Sequence, residues 1–406
     1  MTNEMIPFSP PRIDQQVIDE VIAALKSGWI TTGPRTKEFE KKLAAYCNVQ
    51  RVLCLNSASA GLELMLRWFG VGEGDEVIVP AYTYTATASV VLHCNATPVM
   101  VDVDKDFLID VEAVRKAITP RTKVIMPVDI AGFPCDYDAL NTLVRQQEMT
   151  QQFTPHTAEQ QTLGRILILS DAAHSIGAVY KGKRTGSLTD ISVFSFHAVK
   201  NLTTAEGGAV ALNLPRPFDP EEVYKYLCVK SLHGQNKDAL AKAQVGNWRY
   251  DVIEAGYKCN MTDILAAVGL VELARYDSDM LPRRRAIFEA YHQAFASDPR
   301  FEVPCYETED KVSSYHVYPL RINYIDEATR DQIMQSIFEQ KVSVNVHFIP
   351  LPMLTAYKNL GYNINLYPVA YHNYSREISL PVYYDLTDEQ VQRVIQSVKR
   401  AVNENI

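Results

Sequence analysis

Short apolar segments alternate with helical segments along the first half of this 406-residue chain. Neighbouring parallel strands need a crossover connection, which is usually a helix. The alternation therefore favours an α/β fold with a mostly parallel central sheet covered by helices. The predicted strands are residues 52–55, 76–79, 97–103, 123–128, 166–170, 191–196 and 208–212.

The pattern changes in the second half of the chain, where a long helical stretch at residues 262–295 is broken near Pro282. Further strand and helix signals follow it. We therefore expect a large domain at residues 1–260 and a smaller C-terminal α+β domain at residues 261–406. A stretch rich in Gln and Thr at residues 146–163 interrupts the alternation, and we predict a mobile surface insertion there.

Helices are also predicted outside the alternating region. Residues 13–26 carry apolar side chains at helical spacing, and residues 36–47 read as a second helix. The last helix is predicted at residues 387–403. Its start is typical of a capping box, with Thr387 as the cap and Gln390 three positions later.

The composition is that of a soluble globular protein, with 47% apolar and 22% charged residues. The net charge of −8 argues against binding to nucleic acid or to an anionic membrane, since either would call for a basic stripe. The seven cysteines are scattered and show no C-x-x-C spacing, which indicates free thiols in a reducing cytoplasm; we expect neither a disulfide framework nor a metal site. The N-terminal residues lack the features of a signal peptide, and no apolar run is long enough to span a membrane.

Two of the predicted strands lead into side chains that can perform chemistry. Asp171 directly follows the apolar strand at residues 166–170, and Lys200 follows the strand that ends at Phe196. Ligands and catalytic groups gather at the carboxyl ends of strands in open α/β sheets. An amine that can form an imine and an acid that can keep a pyridine nitrogen protonated are the two groups that pyridoxal phosphate (PLP) chemistry requires. The apolar neighbours of Lys200 predict a partly buried amine with a lowered pKa.

Other residues near predicted strand ends would complete a PLP site. Ala58 and Ser59 open a helix after a strand, where free backbone N–H groups suit a phosphate, and Ser195 offers a hydroxyl from a neighbouring strand end. His174 could hydrogen-bond the ring hydroxyl, and Tyr84 could stack on the ring. Each residue also has an ordinary structural interpretation, such as a helix cap, a core aromatic or a surface charge. Their combination and order favour the site.

These motifs resemble the DegT/DnrJ/EryC1/StrS family of sugar aminotransferases, which are fold-type I PLP enzymes with helices on both faces of the central sheet. The resemblance runs nearly from end to end of the chain. It is carried by residues 27–40, 56–60, 74–80, 256–263, 378–383 and 386–389, together with the Asp171 and Lys200 motifs. The block SFHAVKN at residues 195–201, together with His174, is most similar to the branch that makes UDP-4-amino-4-deoxy-L-arabinose and related 4-amino sugars.

The resemblance implies roles for the matched residues. Lys200 would bind the cofactor covalently and carry the proton between cofactor and sugar. Asp171 would hold the ring nitrogen, His174 would hold the ring hydroxyl, and Tyr84 would stack on the ring. The phosphate would lie on the N–H groups of Ala58 and Ser59 and on the hydroxyl of Ser195.

The resemblance also implies a homodimer whose active sites are shared between subunits. Lys258 and Asn260 match the segment that reaches the partner's cofactor, although many members have Asn and Arg at these two positions. On the substrate side, His347 matches a histidine motif, and Thr32 lies in a loop near the substrate. Many relatives carry a further histidine where this chain has Pro352, so sugar recognition is expected to differ.

The expected reaction moves an amino group from L-glutamate to a keto group of a nucleotide-linked sugar, for cell-surface polysaccharide or related glycan synthesis. Two alternatives share the fold. A sugar dehydratase would carry histidine at the lysine position, so Lys200 argues against it. A PLP-binding sensor or regulatory protein without turnover would be expected to carry a basic DNA-binding segment, and none is evident in the sequence.

Overall fold

The computed structural model describes residues 4–237 and 249–406. In these residues the strands are, in chain order, β1 Arg51–Leu55, β2 Glu76–Pro80, β3 Thr97–Val101, β4 Thr122–Ile125, β5 Leu167–Asp171, β6 Val179–Tyr180, β7 Lys183–Arg184, β8 Ile191–Ser195, β9 Gly208–Leu212, β10 Phe301–Glu302, β11 Lys311–Val312, β12 Tyr318–Ile322 and β13 Glu377–Leu380. The α-helices are α1 Gln15–Lys26, α2 Pro34–Cys47, α3 Ala58–Trp68, α4 Ala86–His93, α5 Val111–Ala117, α6 Tyr137–Leu143, α7 Gln147–Gln152, α8 Ala158–Leu163, α9 Pro220–Lys230, α10 Asp263–Ala274, α11 Leu281–Phe295, α12 Glu327–Glu339, α13 Thr355–Lys358, α14 Pro368–Tyr374 and α15 Asp388–Asn405.

Seven strands form the central sheet in the order β1-β9-β8-β5-β4-β2-β3. Every neighbouring pair from β8 to β3 is parallel, and β9 runs antiparallel to both β1 and β8. The mostly parallel sheet predicted from the sequence is therefore confirmed, and all seven predicted strands lie in it. The parallel strands carry their carboxyl ends to one edge, where ligand sites form in such sheets.

Both faces of this sheet are covered, which explains why its strands read as continuous apolar runs. Side chains alternate between two apolar clusters along a strand: Leu53 and Leu55 of β1 belong to a cluster that contains α3 residues. Val52 and Cys54 belong to a second cluster, which contains α2 and α10 residues. Helices thus lie on both faces.

The C-terminal segment forms a separate three-stranded antiparallel sheet in the order β10-β12-β13. Its apolar core includes residues of α11, α12 and α15. The predicted capping box of the last helix is confirmed, because Thr387 accepts from the Gln390 N–H while the Gln390 side chain accepts from the Thr387 N–H. The domain division between residues 260 and 261 stays a prediction.

Two details differ from the sequence-based expectation. The break in the long helical stretch falls at a π-helical turn, Tyr276–Met280, and Pro282 instead lies in the first turn of α11. Proline is favoured there because its missing N–H would be unpaired in any case. The stretch at residues 146–163, predicted as a mobile surface insertion, contains α7 and α8, and Gln160 within it is buried with its amide donating to the Phe69 carbonyl at 2.9 Å. Polar composition hid this packing, since a buried glutamine reads as a surface residue.

No helix in the described parts of the chain combines the length and the apolar character that a membrane crossing requires.

Candidate active site

A cavity of about 400 Å³ lies where the parallel strands end. Its wall includes eight of the residues that the sequence singled out: Ala58, Ser59, Tyr84, Asp171, His174, Ser195, Lys200 and His347. They come from sequence positions far apart, and the shared edge of the sheet brings them together.

Lys200 lies in the loop that connects β8 to β9. The loop is pinned at its base by hydrogen bonds between Phe196 and Gly207 and between Thr204 and Phe196, each 2.9 Å long. The Lys200 N–H bonds the His197 carbonyl at 2.9 Å, which turns the chain back toward the cavity. Burial lowers the pKa of Lys200 to about 8, and the nearby carboxylate of Asp171 opposes part of that shift. The neutral, nucleophilic form of the amine is therefore much more populated near neutral pH than it is for an exposed lysine, whose pKa is about 10.4.

Asp171 is the last residue of β5 and is buried. Its Oδ2 accepts from the Thr87 hydroxyl at 2.8 Å, and its Oδ1 accepts from the Ala173 N–H at 3.2 Å. Burial raises the pKa of this carboxyl, while the two hydrogen bonds and Lys200 hold it down. Both of its bonding partners are neutral, so the carboxylate retains lone pairs for a cationic N–H in the cavity.

His174 is buried between two other rings. The His316 ring lies 4.3 Å away and the Phe348 ring 5.8 Å away, measured between centroids. Burial lowers the pKa of His174 well below its usual value, and the positive charge on Lys200 adds to that shift. Among the residues that the structure describes, the buried Nδ1 atom of His174 finds no hydrogen-bond partner. A buried polar atom without a partner in a cavity wall calls for a polar group of a ligand.

The start of α3 provides the anion site. Ser57 caps this helix, and its hydroxyl accepts from the Ala60 N–H at 3.1 Å. The first N–H groups of a helix lack intrahelical partners and attract an anion. Gly208, at the start of β9, packs so closely that a Cβ atom there would lie 2.4 Å from the Ala58 nitrogen. The strand and the helix start can therefore approach only because residue 208 is glycine.

These features fit PLP on physical grounds. The amine of Lys200 and the acid of Asp171 share a cavity with a helix start suited to phosphate and with the unpartnered nitrogen of His174. Tyr84 is 59% exposed and its ring contacts that of Phe348, at 5.7 Å between centroids. It is therefore free to lie against a planar ligand.

Three predicted residues lie away from the cavity in this chain. Thr32, Lys258 and Asn260 form a hydrogen-bonded group in which the Asn260 amide donates to the Thr32 hydroxyl at 2.6 Å and accepts from the Lys258 amine. Asn260 also forms a β-bridge with Leu55, so the group lies beside the end of β1. Lys258 is exposed.

The substrate-side residue His347 does line the cavity. Its Nδ1 lies 2.9 Å from the Ser379 hydroxyl, and its backbone N–H donates to Glu377 at 3.1 Å. Its carbonyl accepts from the Tyr82 hydroxyl at 2.6 Å, and Phe8 stacks on its ring at 5.3 Å. His347 is thus fixed by contacts from several elements.

Sequence reasoning missed several residues of the site. Thr87 holds Asp171, while His316 and Phe348 enclose His174. Glu377 and Ser379 hold His347. None of these carries a local signal; each is defined by a partner far away in the chain. Ser379 and Phe348 fell inside recognised motifs, at residues 378–383 and 346–352, but neither was singled out there.

No group of three or more metal-ligating side chains occurs among residues 4–237 and 249–406.

Known proteins match the chain over nearly its whole length. The sequence model of the DegT/DnrJ/EryC1/StrS aminotransferase family matches residues 11–152 and 156–399. The structure is similar to Spr1654 of Streptococcus pneumoniae, which is provisionally described as a sugar aminotransferase. Against the PMP form the TM-score is 0.95 at 48% identity, over 99% of this chain and 100% of that chain. Against the PLP form the TM-score is 0.94 at 46% identity, with the same coverage.

Two curated relatives are similar over 98% of both chains. The uncharacterised protein MJ1066 of Methanocaldococcus jannaschii is 39% identical, and the spore coat polysaccharide biosynthesis protein SpsC of Bacillus subtilis is 36% identical.

Proposed function

Since the chain belongs to the DegT/DnrJ/EryC1/StrS aminotransferase family and is a PLP-dependent aminotransferase, we propose that it moves an amino group from L-glutamate to a keto group of a nucleotide-linked sugar. The observation that carries the proposal is the meeting of Lys200, Asp171 and the start of α3 in one cavity. The family match and the sugar aminotransferase relatives support a sugar as the acceptor. The name of SpsC supports a role in polysaccharide biosynthesis.

Bound PLP supplies an electron sink for the carbon whose bond to hydrogen is broken. The protein supplies the rest. Asp171 would keep a proton on the pyridine nitrogen, because its buried carboxylate accepts from the neutral Thr87 hydroxyl and Ala173 N–H and from no cation in the described part of the chain. The Lys200 amine, with its pKa of about 8, can accept and return a proton near neutral pH. The N–H groups of Ala58 and Ser59 and the Ser195 hydroxyl hold the phosphate, and the His174 nitrogen offers a hydrogen bond to the ring hydroxyl.

Two observations favour turnover over the alternatives that share the fold. The same-fold dehydratase would have histidine where this chain has Lys200. Against the sensor, the aminotransferase family match and the similarity to a sugar aminotransferase support turnover.

A homodimer with shared sites is part of the proposal. Lys258 and Asn260 would reach the partner's cofactor phosphate, which agrees with their place outside the cavity of their own chain. Large apolar side chains close by in sequence are exposed, including Tyr250, Val252 and Ile253 at 52%, 53% and 58%. Exposed apolar surface of this kind is typical of a protein interface.

The reaction is tested by incubating the holoenzyme with L-glutamate and a panel of UDP- and dTDP-linked keto-sugars. Mass spectrometry should find an aminated sugar, together with one equivalent of 2-oxoglutarate. The Lys200→Ala variant is the control and should form neither. PLP binding without 2-oxoglutarate would instead favour the sensor.

The shared site is tested by subunit mixing. Lys200→Ala chains should be inactive and chains with Lys258→Ala and Asn260→Ala weakly active. Their mixture should recover part of the activity, because one site of the hybrid dimer has both sets of residues intact. A protein that sediments as a monomer and is still fully active would contradict the proposed homodimer with shared sites.

A further inference from the structure

Glu377 is a fully buried carboxyl group just behind the cavity wall. It lies in β13, and its two oxygens have different partners. Oε1 pairs with the Ser379 hydroxyl at 2.5 Å, and Oε2 accepts from the His347 backbone N–H at 3.1 Å. A buried carboxyl is costly to keep, so its position suggests a purpose beyond packing.

Ser379 links this carboxyl to the His347 ring. Its hydroxyl oxygen is 2.9 Å from Nδ1 of His347, so a continuous chain of hydrogen bonds runs from Glu377 through Ser379 to the ring. Ser379 is itself fully buried. The backbone N–H of His347 engages the other oxygen of Glu377, which fixes the carboxyl plane relative to the ring.

His347 is neutral, so one of its ring nitrogens carries a proton and the other does not. Burial lowers the pKa of His347 to about 4, and the charge on Lys200 contributes. Nδ1 faces Ser379, and no hydrogen bond to Nε2 occurs within the described residues. The ring lines the cavity, so Nε2 is the polar atom that it can offer to a substrate.

The chain of hydrogen bonds has two possible directions. When Glu377 is a carboxylate, it can only accept, so Ser379 donates to Glu377 and accepts from an Nδ1–H; Nε2 is then an acceptor. When Glu377 carries a proton, it donates to Ser379, Ser379 donates to Nδ1, and the ring proton lies on Nε2, which is then a donor. No atom other than hydrogen has to move.

The surroundings of Glu377 allow both forms. The charged groups that face it are Arg330 on α12 and Arg321 on β12, and its titratable neighbours are Tyr82 and His347. The Arg330 guanidinium donates to the backbone carbonyl of Glu377 rather than to its carboxylate. Burial therefore outweighs these cations and raises the pKa of Glu377 to about 8.

We propose that Glu377 is a positioning residue that, through Ser379, decides which ring nitrogen of His347 carries the proton, and with it whether the cavity receives a hydrogen-bond acceptor or a donor. The acceptor form binds a hydroxyl hydrogen of the sugar, and the donor form binds a hydroxyl or phosphoryl oxygen. This consequence for the sugar rests on the proposed function, but the control of the ring proton does not.

The ring proton can be observed directly in apoprotein labelled with ¹⁵N-histidine, because the two nitrogens of a neutral ring give different ¹⁵N shifts. The His347→Asn variant identifies the resonances. We expect the proton on Nε2 at about pH 6 and on Nδ1 at about pH 9.5, on either side of the pKa of Glu377, with the ring neutral throughout.

Glu377→Gln should lock the ring in one state. Its amide oxygen must face the His347 N–H, so its NH₂ group donates to Ser379 as the protonated acid does, and the ring proton should stay on Nε2 at both pH values. In Ser379→Ala the link is broken, and the change with pH should vanish. Glu40→Gln is the matched control: Glu40 is also buried, with bonds from the Cys54 N–H and the Tyr224 hydroxyl, and this variant should keep the wild-type change.

A wild-type ring proton that does not move between these pH values, or a change that persists in Glu377→Gln, would overturn the proposal.

Stopped-flow rates for the two half-reactions add the functional measurement. Glu377→Gln should change KM for the sugar about tenfold relative to Glu40→Gln at about pH 9.5 and little at about pH 6, with the glutamate half-reaction unaffected. If the NMR result holds while no nucleotide sugar reacts, the proposed function fails and the control of His347 stands. Equal KM values for Glu377→Gln and Glu40→Gln at about pH 9.5 would show that the ring proton of His347 does not affect sugar binding.

Discussion

The two sides of the cavity are built differently. The cofactor wall, which we define as Asp171, Ser195 and Lys200, follows directly from the ends of the adjacent parallel strands β5 and β8. The substrate wall, defined as His347 and Phe348, lies in a stretch without regular secondary structure. It is held by side chains from remote parts of the chain.

The cofactor wall is therefore expected to be rigid, and the substrate wall to be adaptable. Strands in the middle of the sheet fix Asp171 and Ser195 through the backbone ladder. The loop that carries Lys200 is held at its base by the hydrogen bonds of Phe196, so the reacting groups keep their geometry whichever substrate binds. The substrate wall depends on a few side-chain contacts and can change with little effect on the sheet. Replacements in the cofactor wall should therefore damage both half-reactions, and replacements in the substrate wall should damage only one.

The largest effect is expected for Lys200→Ala. This replacement removes the group that moves the proton, so both half-reactions should slow by at least about 10⁴-fold, and the absorbance of the covalently attached cofactor should disappear. Single-turnover absorbance with glutamate and with the sugar measures the two steps separately. Near-normal turnover in this variant would rule out the mechanism.

Asp171→Asn should have the next largest effect. The amide has no charge to hold a proton on the ring nitrogen, and both half-reactions should slow by about 10²–10³-fold per bound cofactor. Asp190→Asn is a suitable comparison, because Asp190 is also buried but pairs with Arg165 at the opposite end of β8. It should lower Tm and leave the rate per bound cofactor nearly unchanged. If the two variants slow the reaction equally, Asp171 has no special role.

The same difference explains what could be predicted from the sequence. The cofactor wall lies in short contiguous motifs at the ends of buried strands, so the alternating pattern alone predicts that Asp171 and Lys200 lie at one edge of the sheet. The residues that hold these side chains in place could not be predicted in this way. Thr87 reaches Asp171 across 84 positions, and Ser379 reaches His347 across 32. A threonine in a helix or a serine in a strand has no local property that marks such a contact, because the contact exists only after the layers have packed.

Packing also accounts for the fold-level difference at residues 146–163. The polar residues there predicted a surface insertion, but Met149 and Phe153 supply enough apolar surface for two short helices to pack against the large core. Gln160 can then be buried because its amide donates to the Phe69 carbonyl. A few apolar residues in a polar stretch are a weak periodic signal, and tertiary contacts decide such cases.

The substrate wall is tested by His347→Ala. Loss of one hydrogen bond to the sugar should slow the sugar half-reaction about tenfold, or about 1.4 kcal/mol, while the glutamate half-reaction stays near wild type. Both rates can be followed by the interconversion of PLP and pyridoxamine phosphate in stopped-flow experiments. An equal loss in both half-reactions would show that the two walls do not divide the work in this way.

The smallest effect is expected from the backbone that supports the phosphate site. In Gly208→Ala the new methyl group would lie 2.4 Å from the Ala58 nitrogen and 2.7 Å from the Ser57 carbonyl oxygen, so the start of α3 must shift. Overpacking against backbone atoms costs about 1–3 kcal/mol of stability. If about 1 kcal/mol of that cost falls on the phosphate site, the Kd of PLP rises about fivefold. Gly72→Ala is the matched control, since a Cβ atom there meets nothing within 4 Å, and its Kd should not change. Equilibrium titration of both apoproteins with PLP gives the comparison.

An unchanged Kd in Gly208→Ala would mean that the start of α3 does not bind the phosphate. A fall in the rate per bound cofactor with no change in Kd would mean that this backbone orients the cofactor instead of holding it.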